Sequence, residues 1–163
     1  MAKREKIQKT NAMRELDTAG VSYRCRELQE EDLSRGLGMR MAEEAGEDPD
    51  STFKTLVTVS PSGDHVVCCI PVGEELDFKK AAAAAGEKSL SMLPTKELEA
   101  TTGYVRGGCS PVGMKKRFPT LIDETAQLFD EIGISGGRRG LSLRLSPDDL
   151  VSFTGATLAD ITR

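Results

Sequence analysis

Two β-branched runs, at residues 53–60 and 66–72, flank the turn sequence Pro61-Ser62-Gly63-Asp64, and this pairing constrains the fold most. Runs this short, separated only by turn-forming residues, pair most simply with each other as an antiparallel hairpin. The rest of the chain must pack around that hairpin. Thr10 caps an expected first helix with Met13, Leu16 and Ala19 on one face and Gly20 at its end. Val21, Tyr23 and Cys25 alternate with Ser22, Arg24 and Arg26, the pattern of a half-buried strand. A loop is expected at 29–34 and a helix at 37–45, stopped by Gly46. Asp77 caps a helix carrying the alanines at 81–85 and ended by Gly86, small enough to approach a sheet closely. A short strand at 89–93, a helix from Pro94-Thr95 to about Ala100, and strands at 120–123, 131–135 and 141–145 follow. Ser146-Pro147-Asp148-Asp149 combines a cap, a first-turn proline and acids at the positive dipole end, and so starts a last helix ending near Gly155. Helices and short strands mix without regular βαβ alternation. The expected class is α+β, one compact domain over 1–163 with a curved, mixed or mostly antiparallel sheet and flanking helices.

Composition narrows the class of partner. The 163 residues are 38% apolar and 29% charged, a globular balance that permits a real core. No apolar run approaches the ~20 residues of a membrane span, so no membrane partner is expected. Residues 1–9 are basic without an apolar stretch behind them; they read as a flexible N-terminus, not a secretory signal. Cys25, Cys68, Cys69 and Cys109 show no metal-ligand spacing, so neither metal nor other cofactor is expected, and reduced thiols fit a cytoplasmic protein. A net charge of −4 argues against coating DNA or RNA non-specifically. It leaves room for gripping a single nucleic-acid terminus, because the local field matters more than the sum. Cations do cluster, at Lys79-Lys80, at 115–117 and at Arg138-Arg139, while acids gather at 27–32 and 43–50.

The usual catalytic inventory is thin. His65 is the only histidine and sits beside the hairpin turn, which leaves no histidine-based triad or metal site. Two glycine-rich stretches remain. Gly103-Tyr-Val-Arg-Gly-Gly-Cys-Ser-Pro-Val-Gly113 has the composition of a loop whose main-chain N–H groups converge on a phosphate or an oxyanion; a tight connection would look the same. Ser135-Gly-Gly-Arg-Arg-Gly140 adds two guanidinium groups suited to phosphate, or is an ordinary turn. Lys54 lies inside a β-forming run, facing either water or a ligand.

Read in order, Lys9-Thr-Asn-Ala-Met-Arg14, Phe53-Lys-Thr-Leu-Val57, Lys79-Lys-Ala-Ala-Ala83, Thr102 through Gly113 and Ile134-Ser-Gly-Gly-Arg-Arg-Gly-Leu141 resemble the YbaK/EbsC family of aminoacyl-tRNA deacylases. The resemblance runs from about Thr10 to Ile161, and the pattern is that of the family's cysteinyl-tRNA(Pro) deacylases. It implies the fold of the editing domain inserted in bacterial prolyl-tRNA synthetases. It also implies roles: Lys54 holds the 3′-terminal nucleotide, Gly107, Gly108, Cys109, Ser110 and Pro111 form a GxxxP loop facing the scissile ester, and Ser135 and Gly136 edge the same pocket, with Arg138 beside them. Family members often carry a tyrosine near the position of Leu28, and this chain does not. The implied chemistry needs no protein base: a bound cysteine attacks its own carbonyl, at high effective concentration, through a thiol of ordinary pKa near ~8.5. Cys109 is then not the nucleophile. Implied partners are the aminoacyl-tRNA 3′ end and prolyl-tRNA synthetase. The alternatives are a deacylase for alanyl- or seryl-tRNA, since fit alone excludes such small side chains poorly, and a non-catalytic tRNA-end or synthetase-binding module.

Overall fold

In a computed structural model of the chain, residues 8–27 and 48–163 are described. The expected loop at 29–34, the helix at 37–45 and Leu28 lie outside them.

The hairpin forms as expected: β1 (Arg24–Glu27) precedes it, and β2 (Phe53–Val59) pairs antiparallel with β3 (His65–Pro71), Lys54 opposite Ile70 and Thr55 opposite Cys69. Around it, β4 (Ser91–Met92), β5 (Thr120–Asp123) and β8 (Thr157–Ala159) complete a five-stranded sheet in the order β4-β2-β3-β5-β8. β6 (Ile132–Ser135) and β7 (Leu141–Leu145) join β1 in a second sheet ordered β1-β7-β6, antiparallel throughout. In the larger sheet β3–β5 and β5–β8 are parallel, so the mixed sheet that was expected is divided in two. A single parallel bridge between Thr52 and Gly133 ties the sheets along a seam.

Both faces of the larger sheet are covered. Val67 and Cys69 enter the main core with Phe53, Val57 and the inner residues of β6 and β7. Val66, Cys68 and Ile70 enter a second cluster under Ala81 and Ala82. Burial on two sides is why β3 reads as a continuous apolar run instead of alternating. Helix α2 (Phe78–Ala85) sits on that second face, capped by Asp77, whose carboxylate accepts from the Lys80 N–H. Its alanines allow the close approach. Helices α3 (Thr95–Thr102) and α4 (Pro147–Thr154) follow the expected boundaries, and Ser146 caps α4 as its sequence predicts.

Helix α1 (Asn11–Ala19) is capped by Thr10 and ended by Gly20, but its buried face is Ala12, Met13 and Leu16, with Ala19 exposed. A face advanced by one residue at the first turn places the helix start, not its end, against the core. The strand expected from Val21 begins later, and Cys25 is exposed instead of half-buried. Only Val21 and Tyr23, ahead of the strand, pack on the core. Gln8 and Lys9 are held in place: the Gln8 carbonyl accepts from Arg138, and Lys9 pairs with Asp17.

Candidate active site

Lys54 is the second residue of β2, half-buried, and has neither hydrogen bond nor ion pair among the described residues. Alternation along the strand puts it on the side of Leu56, away from Phe53 and Val57 in the main core. At the seam, Lys54 lies two residues beyond Thr52 and Ser135 two residues beyond Gly133. Since residues across a parallel bridge share a face, Lys54 and Ser135 project from the same side. The Thr52 hydroxyl is buried there without a partner.

The two glycine loops touch main chain to main chain. A Cβ placed on Gly108 would lie 2.8 Å from the Cα of Arg138 and 2.9 Å from the Arg139 nitrogen, an approach that only glycine permits. Gly107 turns with φ of +86°, its α-carbon against the Arg139 side chain. The loop at 107–111 and the bend at 135–140 are therefore one built unit. Thr10 locks it from behind: its hydroxyl donates to the Gly136 carbonyl at 2.6 Å while also capping α1. The sequence showed Thr10 only as a cap; its second role leaves no signal in a single chain.

Within this unit the side chains expected to meet substrate are mostly committed to the protein. Cys109 is buried, and burial pushes its thiol up to about 12. Ser110 is fully buried, and its hydroxyl accepts from the Val112 N–H at 3.2 Å. Gly136 donates its N–H to the Leu141 carbonyl at 2.8 Å. Arg138 forks onto the Glu27 carboxylate at 2.9 and 3.2 Å and donates to the Gln8 carbonyl, so its guanidinium is held by the protein in this state. Arg139 is the exposed cation of the pair, without a partner among the described residues. The main-chain N–H groups of Cys109 and Ser110 likewise make no hydrogen bond among the described residues. What the loop can present is thus main chain, not a nucleophile.

No group of three or more potential metal ligands occurs among the described residues. A small surface cleft opens on the flank of the loop, lined by Pro111 but by none of the other expected site residues.

The sequence over 39–153 matches the family described as the aminoacyl-tRNA editing domain. The chain belongs to that family. A relative from Enterococcus faecalis, named as a candidate Cys-tRNA(Pro)/Cys-tRNA(Cys) deacylase, EbsC, is 47% identical over 99% of this chain and 98% of its own length. Among solved structures, a candidate trans-editing enzyme for prolyl-tRNA synthetase superposes with a TM-score of 0.84 at 26% identity, covering 94% of this chain and 95% of that one. The hypothetical protein APE2540 shares the fold, with a TM-score of 0.85 at 23% identity over 94% of this chain and all of that one. The likeness to EbsC thus extends over nearly the whole chain, beyond the 39–153 of the family match. No helix among the described residues is long and apolar enough to cross a membrane.

Proposed function

We propose that this editing domain removes cysteine from mischarged tRNA(Pro), with Cys-tRNA(Cys) as a second substrate, by a route in which the substrate supplies the nucleophile. The observation carrying this reading is a loop whose main-chain N–H groups at Cys109 and Ser110 make no hydrogen bond among the described residues and whose one thiol is held protonated by burial. The near full-length identity to EbsC supports the choice of cysteine.

In this scheme Lys54 holds the 3′-terminal nucleotide, an anionic and hydroxyl-rich group that an ammonium suits. The ester carbonyl points at the N–H groups of Cys109 and Ser110, which stabilise negative charge on its oxygen as the tetrahedral state forms. The substrate cysteine sulfur, as thiolate, bonds to its own carbonyl carbon. The C–O ester bond breaks, and the departing ribose oxygen takes up a proton equivalent to the one the thiol released. The product is a strained thiolactone, which water opens to free cysteine. Buried Cys109 packs the loop and takes no part in bond making.

Recognition of the tRNA body falls to prolyl-tRNA synthetase, in the cytoplasm, because a small domain of net charge −4, with its cations in a few short clusters, is poorly suited to reading a whole tRNA. The decisive assay compares deacylation of cysteinyl- and alanyl-tRNA(Pro), with Lys54→Ala as the control. Preferential loss of cysteine supports the scheme; faster loss of alanine, or an ester left intact, overturns it.

A further inference from the structure

The cleft flanking the loop brings aromatic, cationic and carboxylate side chains together. Glu15, Pro111, Met114, Lys116, Arg117, Phe118 and Phe153 supply its chemistry. The guanidinium carbon of Arg117 sits over the Phe153 ring, 5.1 Å from its centre, and the group donates to the Phe153 carbonyl at 3.2 Å. Phe118 is braced by the His65 ring at 5.2 Å. Bases stack on aromatic rings and on guanidinium planes alike, so Phe153 and Arg117 begin a stack that a base can continue. Lys116 is exposed and has no partner among the described residues, which leaves it available for a phosphate. Glu15 is the one carboxylate among these cations. It repels phosphate but accepts from the exocyclic amine of a base, as carboxylates do from cytosine. Together the cleft offers a stacking platform, a phosphate cation and an amine acceptor.

Its position fits. Pro111 walls the cleft and ends the loop that begins at Gly107, and the three steps from Gly108 to Pro111 span at most ~11 Å of chain. We propose that this cleft binds an amine-bearing nucleotide of the single-stranded RNA segment just ahead of the esterified terminus. The assignment of that RNA as a tRNA end rests on the deacylase reading above.

The test is equilibrium binding of fluorescent ACCA tetraribonucleotide to the whole chain, with adenosine monophosphate as the probe of the terminal site. Lys116→Ala breaks no hydrogen bond or ion pair among the described residues, so it reports chiefly on binding; Arg117→Ala is checked by its melting temperature. Each is expected to weaken ACCA binding about tenfold, with a shallower salt dependence for Lys116→Ala, and to leave adenosine monophosphate unaffected. Glu15→Gln is expected to erase the preference for ACCA over AUUA. Wild-type affinity for ACCA in both cation variants, or an equal loss of both probes, overturns the proposal. The two readings fail separately: if ACCA binds through the cleft while wild-type protein leaves cysteinyl-tRNA intact, only the deacylase reading falls.

Discussion

Gly108 and Arg138 meet main chain against main chain, with only 2.8 Å between the arginine Cα and the point where a glycine side chain would begin. Neither partner can yield without moving its loop. Gly108→Ala is therefore expected to lower stability by about 1–3 kcal/mol, the usual range for overpacking, and to abolish deacylation. Gly107→Ala meets a flexible arginine side chain, and its penalty comes mainly from the positive φ. It should keep measurable activity. Urea unfolding and single-turnover deacylation of the two variants, side by side, check the contrast.

Lys54 makes no hydrogen bond or ion pair among the described residues. Lys54→Ala is expected to melt within a degree or two of the wild type, yet to reduce turnover of cysteinyl-tRNA(Pro) at least 100-fold. A comparable fall in melting temperature and rate would assign the lysine to the fold instead of the site.

Cys109 is expected to be silent in catalysis. With its thiol pushed up to about 12 it carries no useful thiolate near neutrality. Cys109→Ala should retain most activity, at a cost of about 1 kcal/mol for the small cavity. In the native protein, iodoacetamide at pH 8 should label Cys25, which is exposed, and spare Cys68, Cys69 and Cys109. A catalytically dead but folded Cys109→Ala would refute the substrate-thiol route.

Those three thiols also set an alkaline limit on the fold. Burial pushes each to about 12, whereas in the unfolded chain they ionise at the ordinary value of 9.0. Above that value the unfolded state sheds protons that the native state keeps, so stability falls as pH rises. Below about 9 the contribution is fully present. Each thiol that stays protonated costs roughly 1.4 kcal/mol per pH unit in that window. Thermal melts from pH 8 to 11 should show the decline, and replacing Cys68 by alanine should flatten it.

The sequence exposed the parts of the fold whose signals are local. The hairpin, the Asp77 and Ser146 caps and the glycine helix ends all lie where turn and cap chemistry place them. Strand β8 at Thr157–Ala159 escaped, because three residues after a helix carry no periodicity and pair only through a parallel partner distant in sequence, β5. At the site, Lys54 and the two glycine stretches could be picked out as residue types. Their assembly could not. The contact of Gly108 with Arg138, the capture of Arg138 by Glu27 and the bond from Thr10 to Gly136 are each set by tertiary packing across 30 to 126 positions. Arg138 shows the limit best: two adjacent arginines in a glycine bend look equally suited to phosphate, and only the fold reveals that one is already engaged and the other exposed.

The tie between α1 and the second loop reaches further than local stiffness. Because Thr10 both starts a helix and clasps the Gly136 carbonyl, fraying at the front of the chain would also release the second glycine loop from behind. On the proposed function, a partner gripping the first helix would act on the second loop from its back, without touching the tRNA at all.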